Sequence, residues 1–87
     1  LGLSDLDIDE SSLSIIELQD GSIKFTVSNH LEMVSVELLD LLGRTLYKLD
    51  ADGNEEIYNL NIAQATYIAK VSLSNGYVIT KKMVKRK

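Results

Sequence analysis

Apolar residues recur at every second position through most of this chain. Ile23, Phe25 and Val27 alternate with Ser22, Lys24, Thr26 and Ser28. Val34, Val36 and Leu38 alternate with Ser35 and Glu37, and Tyr67, Ala69, Val71 and Leu73 with Ile68, Lys70 and Ser72. Tyr58, Leu60 and Ile62 form a shorter version. A period of two sends alternate side chains to opposite faces, so each run describes a strand with one face buried. β-Branched and aromatic residues concentrate in these runs, which suits a pleated surface better than a helix.

Turn signals separate the runs at intervals of about ten residues, the rhythm of an all-β sandwich. Asp20-Gly21, Asp52-Gly53 and Asn75-Gly76 each offer two residues that tolerate positive φ, as tight hairpins require. Leu42-Gly43 marks a fourth turn or bulge, and residues 28–32 a looser fifth. The pattern predicts strands at 13–18, 22–28, 34–40, 44–50, 56–62, 66–74 and 77–85, packed as an Ig-like antiparallel β-sandwich. The last run divides into Val78, Thr80, Lys82 and Val84 against Tyr77, Ile79, Lys81 and Met83, neither side wholly apolar. That ambiguity fits an edge strand, where Lys81, Lys82 and Lys85 deter unwanted pairing in a chain that has no proline. Residues 1–12 read as an acidic linker or lead-in to the first strand, and 13–87 as one domain.

Composition narrows the function classes. The 87 residues lack cysteine, which removes disulfides, thiolate chemistry and cysteine-ligated zinc. No apolar run approaches the ~18–20 residues a helix needs to cross a bilayer, so membrane insertion is not expected. The chain begins at Leu1, as an excised or processed piece would. Charge is split along the sequence. Residues 5–56 hold all thirteen acidic residues against three basic ones, whereas residues 57–87 hold six basic residues and none acidic. The overall net charge of -4, and the lack of aromatics among the terminal cations, argue against nucleic-acid binding.

Catalytic constellations are not apparent, and the chain is expected not to be an enzyme. His30 is the single histidine and lies in a predicted loop. Glu55 and Glu56 are adjacent strand residues and point to opposite faces; Glu37 and Asp40 form the other carboxylate pair. A calcium loop starting at Asp5 would need Gly and Glu where the chain has Glu10 and Ile16. With a lone histidine, no cysteine, no complete calcium loop and no glycine-rich phosphate loop, no metal or cofactor is expected. Tyr58 and Tyr77 are the candidates for a small aromatic platform.

A second pattern overlies the strands. In order, the chain reads Asp40-Leu41-Leu42-Gly43-Arg44, then Leu46-Tyr47, Thr66-Tyr67-Ile68-Ala69-Lys70-Val71, Asn75-Gly76, and finally Thr80-Lys81-Lys82-Met83-Val84. This resembles the C-terminal sorting domain of proteins exported by the type IX secretion system of Bacteroidetes. The likeness covers residues 34–87 by motif and 13–33 by strand pattern. One departure is Ala65, where the family carries glycine; a positive φ there would strain alanine.

The resemblance implies a non-catalytic address label for an attached N-terminal cargo. Such a cargo crosses the inner membrane, folds in the periplasm, is recognised by outer-membrane type IX components and reaches the cell surface. A sortase-like protease then commonly removes the domain, here within residues 1–12, and joins the cargo to anionic lipopolysaccharide. The recognition residues implied are Asp40, Gly43, Arg44, Tyr67, Lys81, Lys82, Met83 and Val84; Lys85, Arg86 and Lys87, more basic than the family pattern, join them on their charge and their place at the end of an edge strand. Read without the family, Arg44 either braces its own turn with Asp40 or meets a partner, and Tyr67 is a packed aromatic. The lysine-bearing tail, 81–87, is expected to stand displayed on an edge strand where another chain can add by backbone pairing. A generic secreted Ig-like interaction or spacer module is the alternative.

Overall fold

A computed structural model describes residues 12–28 and 30–87. The acidic lead-in, with its excluded calcium loop and expected cleavage region, lies outside the described residues except for Ser12. Seven strands follow one another: β1 (Leu13–Glu17), β2 (Ile23–Val27), β3 (Met33–Leu39), β4 (Thr45–Asp50), β5 (Glu55–Tyr58), β6 (Ala65–Leu73) and β7 (Val78–Lys85). Every pairing is antiparallel, in one sheet ordered β1-β2-β5 and a second ordered β4-β3-β6-β7. The Ig-like sandwich expected from the alternation is present. Its fourth strand pairs with β3 rather than β5, which makes the division three and four.

The two inner faces supply the core. Phe25, Val36, Leu38, Ala69 and Val71 have no exposed surface, and Leu13, Ile23, Met33 and Ile79 have almost none. Phe25 meets Tyr58 edge to face, with ring centroids 5.7 Å apart. Tyr67, near the start of β6, donates its hydroxyl proton to the carbonyl of Ala63 at 2.6 Å. This is the tyrosine corner of Ig-like sandwiches, in which the hydroxyl pins the connection that crosses between sheets.

Three expectations need correction. Asp52-Gly53 does not close a hairpin: it lies in the connection from β4 in one sheet to β5 in the other. The carbonyls of Gly53 and Asn54 accept the N–H groups of Met33 and Val27 and hold that corner in place. Val34 is exposed and Met33 buried, because the β3–β6 register shifts between Met33 and Ser35. β5 ends at Tyr58 rather than residue 62, where its partner β2 runs out at Ile23. Leu60 and Ile62 still pack on the core from irregular backbone.

The strain foreseen at Ala65 does not arise. Ala65 opens β6 opposite Lys85, and no described residue other than glycine has positive φ.

Candidate functional site

The residues singled out by sequence form two separate groups. The first is the β3–β4 turn. Asp40 accepts the N–H groups of Leu42 and Arg44 on Oδ1, both at 2.9 Å, and the Arg44 Nε–H on Oδ2 at 2.7 Å. Backbone bonds from Asp40 N–H to the Arg44 carbonyl, and from Gly43 N–H to the Asp40 carbonyl, close the turn. Gly43 has φ of 88°, which a side chain would resist. The Arg44 backbone N–H, then its guanidinium and the Leu42 N–H, hold the Asp40 carboxyl below the usual range against the cost of partial burial. Asp40, Gly43 and Arg44 thus build one another's turn, while the Arg44 side chain and the tips of Leu41 and Leu42 stay exposed.

The second group lies where β1, the edge of the first sheet, passes β7, the edge of the second. The expectation that residues 81–87 stand wholly displayed is corrected here. The pleat of β7 puts Lys81, Met83 and Lys85 on the same face as Ile79, towards the core. Met83 is 4% exposed and Lys85 5%, whereas Lys82, Val84, Arg86 and Lys87 are exposed. Lys81 donates through Nζ to the Leu13 carbonyl at 2.7 Å, tying one edge to the other.

Lys85 is buried because Glu17 receives it. Its Nζ lies 3.0 Å from Glu17 Oε2 and also donates to the Lys87 carbonyl. The same carboxylate accepts the Arg86 N–H on Oε1 at 2.9 Å and the Lys87 N–H on Oε2 at 3.0 Å. Lys87 Nζ reaches the Gln19 carbonyl at 3.0 Å. A Cβ on Gly21 would stand 3.5 Å from Lys85 Nζ, an ordinary contact, so it is the φ of 91° rather than crowding that calls for glycine in the β1–β2 turn beside the ammonium. The Arg86 N–H above all, with the Lys85 ammonium and the Lys87 N–H, lowers the Glu17 carboxyl from its ordinary value of 4.5, against a smaller opposing effect of burial. Sequence reasoning did not single out Glu17. The available signal was the charge split, which is compatible with an acidic strand residue meeting the cationic end but does not single one out.

The remaining candidates do not converge. Tyr58 is turned towards Phe25 and donates to the Asp50 carbonyl at 2.7 Å, while Tyr77 sits at the β6–β7 hairpin of the other sheet. They form no shared platform. Burial, then the charges of Glu56 and Asp50, pushes the Tyr58 hydroxyl up to about 12. Glu55 lies 3.8 Å from Lys24, and Glu56 accepts the Asp52 N–H. Glu37 accepts from the Thr45 hydroxyl. His30 is exposed in the β2–β3 loop. Among the described residues no cluster of His, Asp and Glu is placed to hold a metal ion, and no helix is long and apolar enough to cross a membrane.

No curated protein matches the chain. A family model described as Domain of unknown function (DUF8694) matches residues 1–85. The chain therefore belongs to that family, whose description leaves its function open.

Proposed function

We propose that this domain is a non-catalytic sorting module, recognised by the outer-membrane type IX secretion machinery for export of an attached cargo. The observation that carries the reading is the position of the last strand. β7 ends the four-stranded sheet with Lys82 and Val84 exposed, and the tail that follows it bonds through its backbone to Glu17 while the Arg86 and Lys87 side chains stay exposed. A folded label with a fixed cationic edge suits recognition by a partner, since little ordering entropy is left to lose on docking. Asp40, Gly43, Arg44 and Tyr67 serve this function indirectly, by building the sandwich that presents the edge.

Cargo passage follows the sequence of events the resemblance implies: periplasmic folding, docking at the outer membrane, and surface release by a sortase-like protease acting before β1. The test is a periplasmic reporter fused to residues 1–87, expressed in a type IX-competent host and in an otherwise identical strain lacking the machinery. Surface reporter in the first strain only is the expected result. Equal distribution in both strains overturns the proposal.

The second reading, a secreted Ig-like interaction or spacer module, is favoured by one specific observation. The motif residues at the β3–β4 turn and at the tyrosine corner are engaged in holding the fold. Such residues serve any sandwich of this topology, and this reading predicts surface delivery that does not depend on the type IX machinery.

A further inference from the structure

The free edge of β7 has a definite register. The Leu73 N–H bonds to the Tyr77 carbonyl, and β6 and β7 continue from there in an unbroken antiparallel ladder. In such a ladder alternate residues turn their backbone groups to opposite sides. Ile79, Lys81, Met83 and Lys85 therefore bond to β6, and Val78, Thr80, Lys82 and Val84 turn their N–H and C=O groups outward. The Arg86 N–H, next in that outward series, meets Glu17.

The same reasoning orients β1. Ser12 and Leu18 bond towards β2, so Leu13, Ile15 and Glu17 turn their backbone groups to the free side, where the Leu13 carbonyl takes Lys81 Nζ. No backbone bond joins β1 to β7 among the described residues. A groove of about 520 Å³ runs beside them, with Ile15, Ile16, Met83 and Val84 as its apolar lining.

Its charge is one-sided. Lys82, Arg86 and Lys87 line it with exposed cations, and the carboxylate in the lining, Glu17, has both oxygens occupied by the tail. Lysine on an edge strand ordinarily repels other strands. Here it discriminates among them, because a strand carrying carboxylates gains what a neutral or basic strand loses. The other outer strands fit this role less well. β5 spans four residues and carries Glu55 and Glu56, and β4 is bridged by the Tyr47 hydroxyl to Asn61 and through its Asp50 carbonyl to Tyr58.

We infer that the outward edge of β7 accepts an extended partner segment in which apolar and acidic residues alternate. The segment adds as a further strand to the four-stranded sheet. Its backbone pairs with Thr80, Lys82 and Val84, its apolar side chains enter the groove, and its carboxylates face Lys82 and the Arg86–Lys87 end. Main-chain bonds provide affinity in this mode and alternate side-chain sites provide selectivity. The inference rests on the export reading for the source of that segment, which would be a component of the secretion machinery.

The test uses the purified chain and an octapeptide alternating valine with aspartate, against the same peptide with lysine for aspartate. Binding is read by fluorescence anisotropy and by amide hydrogen exchange. The acidic peptide is expected to bind at least about tenfold more tightly than the basic one and to slow exchange at Thr80, Lys82 and Val84. Val84→Pro removes one outward N–H while sparing the β6 ladder, so it should abolish binding with the circular dichroism spectrum retained. Lys82→Glu, on the exposed face, should reverse the preference between the two peptides, and it serves if the proline variant does not fold. Equal binding of both peptides, protection on β4 or β5 instead, or no binding overturns the inference. A domain that exports its reporter yet ignores the peptide refutes this inference alone. One that binds the peptide yet fails to export refutes the export reading alone.

Discussion

Adjacent residues on β7 should respond very differently to truncation. Met83 is 4% exposed on the inner face, and Val84, its neighbour, is 48% exposed on the outer face. Replacing a buried methionine with alanine removes its transfer free energy and leaves a cavity, for a typical loss of about 2–5 kcal/mol. Met83 lies on an edge strand beside an open groove, where the surroundings can partly relax, so we take about 3 kcal/mol for Met83→Ala. A domain of 87 residues has a total stability of roughly 4–13 kcal/mol, so the loss is a large fraction of the whole. At about 4–8 °C per kcal/mol for this size, it lowers the melting temperature by about 12–24 °C. Val84→Ala should stay within about 0.5 kcal/mol, or roughly 2–4 °C. Urea and thermal denaturation followed by far-ultraviolet circular dichroism read both variants, with equal urea slopes as the check that the unfolded states are comparable. A Val84→Ala loss equal to that of Met83→Ala would mean that β7 is paired one residue out of the described register, which would turn every side chain of the strand over.

Further predictions concern pH and the turn. Glu17 has a lowered carboxyl in the folded protein, so its contribution is present above the ordinary carboxyl value of 4.5 and is lost as pH falls through the lower folded value. Glu17→Gln should therefore be less stable than the natural chain at pH 7 and should lose less on acidification; parallel acid curves for the two would refute the contact of Glu17 with Lys85 and the tail. Tyr58 is raised from 10.0 to about 12, so the unfolded chain ionises first and stability falls as pH rises between those values. Tyr58→Phe should flatten that alkaline loss, with tyrosinate absorbance following the titration. Gly43→Ala meets no atom within 4 Å, so its expected cost, about 1–2 kcal/mol, comes from forcing alanine to positive φ. A neutral result in chemical denaturation would contradict that assignment.

Strand existence was legible because the signal is local. Ile23, Phe25 and Val27, or Tyr67, Ala69, Val71 and Leu73, carry their period of two within a few residues, and the structure buries each of them. Where one strand depends on another, local pattern was insufficient. The alternation of Tyr58, Leu60 and Ile62 continues past the point at which β2 ends, and it cannot show that β5 has lost its partner. The irregular register at Met33–Ser35 likewise moved Val34 outward against its own pattern. Asp52-Gly53 has the composition of a hairpin turn, but sheet membership is decided by which distant strands β4 and β5 find. The contact of Glu17 with Lys85 and the tail was the least visible feature. Glu17 lies 68 residues before Lys85, and nothing local distinguishes it from the other acidic residues. Reading the tail as displayed treated every lysine alike, whereas a strand must turn alternate residues inward, and Lys85 was one of them.

The account depends most on the exposed cations of β7 and the tail as the surface that is read. Truncating residues 81–87 would not test this, since Met83 and Lys85 support the fold. The direct measurement is surface delivery of a reporter fused to the domain with Lys82→Glu, Arg86→Gln and Lys87→Gln, which remove the exposed cations without setting new carboxylates beside Glu17, whose bonds from the backbone of 86 and 87 remain possible. With folding verified by circular dichroism, the account predicts that delivery is lost and the reporter accumulates in the periplasm. Delivery at the natural level by the folded triple variant would contradict it.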